Sequence, residues 1–74
     1  MFKLYFPSGK TFLTHDFGDY DFPFFFSVFG SSIYYSVDTT IKVADYSNND
    51  RALEVYDAIV NAYNRHQSFT LPKD

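Results

Sequence analysis

The amino-acid sequence predicts an α+β domain, an antiparallel and strongly twisted sheet of about five strands with one C-terminal amphipathic helix packed on one face. Three observations carry that prediction. Short apolar stretches alternate with polar residues over the first two thirds of the chain and are punctuated by Pro-Ser-Gly, Gly-Ser and Asp-Thr turns. One later segment switches to the helical period. The chain has 74 residues, 46% apolar and 23% aromatic with a net charge of −3, so it is too hydrophobic to stay unfolded and too short for a second domain.

The elements follow in order. Phe2, Leu4 and Phe6 alternate with Lys3 and Tyr5, and Pro7-Ser8-Gly9 then intervenes before Lys10-Thr11-Phe12-Leu13-Thr14, which reads as a hairpin. The stretch from His15 to Asp21 is an acidic turn. It leads into Phe22 to Phe29, whose aromatic and branched residues suit a third strand. Gly30-Ser31 turns the chain into Ile33, Tyr35 and Val37, which alternate with Ser32, Tyr34 and Ser36, and Asp38-Thr39 turns it again into Thr40 to Tyr46. Short connections throughout imply antiparallel neighbours.

Residues 50 to 65, set at 100° intervals, place Ala52, Leu53, Val55, Tyr56, Ile59, Val60, Ala62 and Tyr63 on one half-turn and mostly charged or amide residues on the other. This predicts a helix from about Asn48 to Asn64. Leu53, Tyr56, Ile59, Val60 and Tyr63 are its expected core face, and Ser47 with Asp50 resembles a capping box. Ser68 to Leu71 has the composition of one further short strand.

Composition excludes several classes of function. Without cysteine the chain has neither disulfides nor a thiolate zinc site, so a second subunit is the expected support for so small a domain. Nine acidic against six basic residues argue against direct binding of nucleic acid. Phe22 to Val37 is uncharged, yet too short and too broken by Pro23 and Gly30 for a membrane span. The Met1-Phe2-Lys3 start lacks the pattern of a signal peptide, which gives a cytoplasmic expectation. No nucleophile stands with a base and an orienting third group, and no glycine-rich phosphate loop is present, so neither an enzyme nor a cofactor is expected.

His15-Asp16-Phe17-Gly18-Asp19-Tyr20-Asp21 gathers three carboxylates and an imidazole, but without the register of a calcium loop. A solvated turn, with no metal, is the expectation. The Phe-rich stretch exceeds what one sheet needs. On a flat strand Phe24, Phe26 and Val28 point opposite to Phe25 and Phe29, and a single helix covers one face only. Either the sheet curls and buries both sets, or a loop covers the second, or the surplus is a homodimer or partner interface.

Val43-Ala44-Asp45-Tyr46-Ser47, the helix start Asp50-Arg51-Ala52-Leu53-Glu54-Val55 and the close Phe69-Thr70-Leu71-Pro72-Lys73-Asp74 give the C-terminal half a resemblance to small uncharacterised proteins of Firmicutes and their phages. That resemblance implies a context in which inhibitors of host defence are frequent. No basic residue lies between Lys10 and Lys42, whereas Asp16, Asp19, Asp21 and Asp38 all do. An aromatic surface ringed by carboxylates suits a host protein or complex with a basic, nucleic-acid-binding groove. The expected function is therefore a non-catalytic inhibitor or adaptor, such as an anti-CRISPR-type antagonist in the host cytoplasm, acting as a homodimer. Phe24, Phe25, Phe26, Phe29, Tyr34 and Tyr35 are its expected anchors and Asp16, Asp19 and Asp21 its orienting charges. The alternatives are an oligomer that sequesters a nucleotide-like ligand between aromatic rings, and a structural virion or housekeeping piece.

Overall fold

The computed structural model describes residues 1–74, which form six strands, one α-helix and a 3-10 turn. Strands β1 (Phe2–Tyr5) and β2 (Thr11–His15) are the predicted first hairpin, antiparallel with Leu4 opposite Leu13. Strands β3 (Phe26–Phe29), β4 (Ser32–Ser36) and β5 (Thr40–Asp45) form a meander, and helix α1 (Asn49–Asn64) precedes the two-residue strand β6 (Phe69–Thr70). Gly30 opens the β3–β4 turn with φ of 63°, a left-handed conformation that glycine adopts without steric cost.

In place of one sheet of about five strands there are two of three, in the orders β2-β1-β6 and β3-β4-β5. The break falls at the acidic turn, because the chain leaves β2 through residues 16 to 25 and not through a tight hairpin. Strand β1 takes β6 on its other side, and this pair is parallel, contrary to the antiparallel expectation. The two sheets share one core of thirteen buried residues, including Phe2 and Leu4 from β1, Phe26 from β3, Ile33 from β4 and Val55 and Ile59 from α1.

The predicted third strand forms only over its second half. Phe22–Phe25 is a 3-10 turn in which the Phe22 and Phe24 amides donate to the Asp19 and Asp21 carbonyls at 3.3 and 3.0 Å. Pro23 explains the difference: its fixed φ suits the first turn of a helix, and it has no N–H to donate to a sheet ladder. Ladder pairing starts at Phe26, opposite Tyr35. The 3-10 period breaks the strict alternation of the run, so Phe22 and Phe26 both enter the core while Phe24 and Phe29 face solvent.

Helix α1 has the expected extent but a different cap and a rotated core face. Asn48, with extended backbone, accepts the Arg51 amide on its side chain at 2.8 Å, the role expected of Ser47. Ala52, Val55, Ile59, Ala62 and Tyr63 are the buried residues, whereas Leu53 is 44% exposed and Tyr56 and Val60 are half-buried. The small Ala52 and Ala62 thus occupy the side against the strands, and the bulkier Leu53 faces outward.

The helix ends in a Schellman motif. The Gln67 amide donates to the Ala62 carbonyl at 2.9 Å and the His66 amide to the Tyr63 carbonyl at 3.1 Å. The residue between, His66, holds φ of 58°, where glycine is the usual occupant, and its ring stacks on Phe17 with centroids 4.6 Å apart. Ring stacking thus offsets backbone strain. His66→Gly is expected to be more stable than His66→Ala by about 1 kcal/mol in urea unfolding, because both lose the stack and only alanine keeps the strain. Equal midpoints for the two variants would count against strain at this position.

Candidate interaction surface

The acidic turn is held from beneath by Tyr63. Its hydroxyl donates to the Asp16 carbonyl at 2.6 Å and accepts the Asp19 amide at 3.0 Å, so one buried side chain of α1 ties down both ends of a four-residue loop. The Asp19 carboxylate turns inward: Oδ2 lies 2.8 Å from His15 Nε2 and Oδ1 accepts the Asp21 amide at 3.0 Å. The hydrogen bond from His15, then that from the Asp21 amide, holds the Asp19 carboxyl below its ordinary pKa, so the anchor stays ionised further into acid. The His15 ring in turn stacks on Phe22 at 4.1 Å. Two ring stacks and a buried phenol make this turn a preorganised element of the surface.

Two aromatic rings project from it. Tyr20 is 91% exposed and Phe24, in the 3-10 turn that follows, 78% exposed; exposed Asp21 adjoins Tyr20 in sequence and exposed Asp16 opens the same loop. Gly18, Asp19 and Tyr20 border a cleft of about 280 Å³ whose far wall is Tyr63, Asn64 and His66. No three His, Asp or Glu side chains converge as a group that would hold a metal ion.

The expected site residues divide among three places. Asp16, Asp19, Asp21 and Phe24 belong to the turn, with Asp19 acting as its internal brace. Phe25 and Tyr35 are half-buried and meet edge-on at 6.3 Å, and Tyr35 also packs on Phe26 at 4.9 Å, where burial raises the pKa of its hydroxyl. Phe26 is 2% exposed and is a core residue, so its ring has no surface to offer a partner. Phe29, 79% exposed, and half-buried Tyr34 lie apart from these on the outer face of the β3-β4-β5 sheet.

That outer face is polar. Ser27 and Lys42 flank Tyr34 across the ladder, Ser36 and Thr40 hydroxyls meet at 2.9 Å, and the Ser32 hydroxyl donates to Asp45. The bond from Ser32, with the nearby Lys42 ammonium, lowers the pKa of Asp45. Phe29 thus projects from a polar face shared only with half-buried Tyr34, whereas exposed Phe24 follows exposed Tyr20 by four residues where the acidic loop passes into the 3-10 turn. Tyr20 was missing from the anchors expected from sequence. Its signal was the Asp19-Tyr20-Asp21 triplet, an aromatic between two turn-forming carboxylates with no strand or helix to bury it.

Comparison of the chain with protein-family models, with curated proteins and with solved structures finds no match. No helix is long and apolar enough to cross a membrane.

Proposed function

We propose that this protein is a non-catalytic binding protein that inhibits or recruits a basic protein partner through its acidic turn. In the context that the C-terminal resemblance implies, it is a phage-encoded antagonist of a host defence complex. The observation that carries the proposal is the exposure of Tyr20 and Phe24 on a turn braced by Tyr63, His15 and Asp19. Large aromatics on a rigid support lose little entropy on binding, and aromatic residues dominate interface energies. Exposed Asp16 and Asp21 of the same loop favour a partner with lysine or arginine and mainly raise the rate of encounter.

The test is affinity capture from a bacterial host lysate with the wild-type chain and with Phe24→Ala as baits, followed by titration of the captured complex. The wild type is expected to retain one dominant complex, and Phe24→Ala to bind it about thirtyfold more weakly, roughly 2 kcal/mol, through faster dissociation. Asp16→Asn with Asp21→Asn is expected to slow association and flatten its salt dependence. Equal affinity of the wild type and Phe24→Ala would remove the turn as the binding site.

A second proposal, sequestration of a nucleotide-like ligand, draws on the cleft between Tyr20 and His66. At about 280 Å³ the cleft falls at the lower edge of the roughly 300–1,000 Å³ usual for such pockets, so a ligand of that size needs a second copy to enclose it. Co-purification of a small molecule in place of a host complex would favour this alternative.

A further inference from the structure

Helix α1 carries a wider apolar arc than the core uses. Ala52, Val55, Ile59, Ala62 and Tyr63 meet the core, and along the adjoining flank lie Leu53, exposed, Val60, half-buried, and between them Tyr56, which packs against the core on one side and is half-buried on the other. Spacings of three and four residues bring these three side by side on the cylinder, the arrangement by which one helix packs along another. At 100° per residue Asn64, Asp57 and Asp50 come next beyond Leu53, each seven residues from the next and therefore nearly in line, so this flank carries two carboxylates and one amide. Both carboxylates are exposed, and neither takes part in the ion pairs of the molecule. The basic residues of this region lie elsewhere: Arg51, on the other side of the helix, reaches Glu54 and Asp74, and Arg65 follows the last turn.

We infer that the Leu53-Tyr56-Val60 stripe is a second docking surface, separate from the acidic turn, and that its occupant is a basic amphipathic helix of a protein partner. Charge decides between occupants. In a two-helix seam the positions held by Asp50 and Asp57 face the flanking positions of the incoming helix, so lysine or arginine there is attracted. A second copy of this chain laid antiparallel across a two-fold axis brings Asp50 of one copy towards Asp57 of the other, and like charges oppose that pairing.

The probe is a synthetic amphipathic helix with leucine along its seam and lysine at the flanking positions, with a glutamate-flanked counterpart, titrated into the full chain and followed by amide chemical shifts. The lysine peptide is expected to shift the amides around Leu53, Tyr56 and Val60, and the glutamate peptide to bind at least about tenfold more weakly. Leu53→Gln is expected to raise the dissociation constant about tenfold while melting within a degree or two of wild type, since Leu53 is already near half exposed. If Leu53→Gln loses the fold, Asp50→Asn with Asp57→Asn carries the same test through the charge term. Phe24→Ala should leave this titration unchanged, which separates the helix surface from the turn. Shifts confined to Asp16–Phe24, lysine-peptide affinity indifferent to both sets of variants, or a concentration-dependent dimer abolished by Leu53→Gln would each overturn the inference.

Discussion

Phe22→Ala is expected to bring the domain to the edge of unfolding. The Phe22 side chain is fully buried, and its ring contacts six others: Phe2 at 5.7 Å, His15 at 4.1 Å, Tyr63 at 4.7 Å and Phe26 at 5.5 Å, with Phe25 and Tyr35 just beyond 6 Å. These partners come from β1, β2, β3, β4, α1 and the 3-10 turn itself, so the ring joins both sheets to the helix. Truncating a buried phenylalanine costs about 3–5 kcal/mol. The stability of a small domain begins at about 5 kcal/mol, so little remains. Circular dichroism of the variant is expected to show a melting transition far below that of wild type, with part of the population already unfolded at 25 °C. A cooperative melt close to that of wild type would mean that the neighbouring rings collapse into the space and that Phe22 does not join the layers.

The second large effect is expected at Ile59→Ala. Ile59 is 1% exposed at the centre of the buried helix face, between Val55 and Ala62, in the one core that both sheets share. Removing its branched side chain costs about 2–5 kcal/mol, the larger values applying where the surroundings cannot close the gap. Leu53→Ala, one and a half turns earlier and 44% exposed, is the internal control, expected to cost well under about 1 kcal/mol. Urea unfolding of the two variants checks the orientation of the helix directly. Comparable losses at both positions would mean that the helix buries the broader arc expected from its periodicity.

That comparison shows where the sequence was informative and where it was not. Periodicity located α1 to within a residue of its observed ends, because caps and a 3.6-residue pattern are local. It could not choose between Ala52 and Leu53, since both fit an apolar arc and the choice depends on how closely the strands approach. The hairpins were legible from Pro7-Ser8-Gly9 and Gly30-Ser31, whose backbone needs are likewise local. Division into two sheets was not, because nothing near β1 announces that it pairs with Phe69 and Thr70 at the far end of the chain. Within Phe22–Phe29 the apolar composition fits a strand or a buried turn equally well, and Pro23 was the one residue that distinguished them. The candidate surface was half legible: Asp16, Asp21 and Phe24 lie on it, Phe26 is in the core, and Tyr20 stands alone in a turn where no periodicity marks a residue as exposed or buried.

The parallel pairing of β1 with β6 bears on how the molecule assembles as it is synthesised. Strand β1 precedes β6 by more than sixty residues of chain, and the Leu71 amide donates to the Tyr5 carbonyl at 2.8 Å immediately beyond their ladder. The β1–β2 hairpin and the β3-β4-β5 meander can each form from neighbouring residues. The edge of β1 remains open until everything between has been translated, and closing that long loop is an entropic cost met late in folding. Until then the growing chain presents a strand with one open edge, carrying Phe2 and Leu4, both fully buried in the finished fold, together with Phe17 and Phe22, which pack on Phe2. The short segment Phe69–Leu71 therefore acts as a latch, and the nascent protein is most exposed to misassociation in the interval before it arrives.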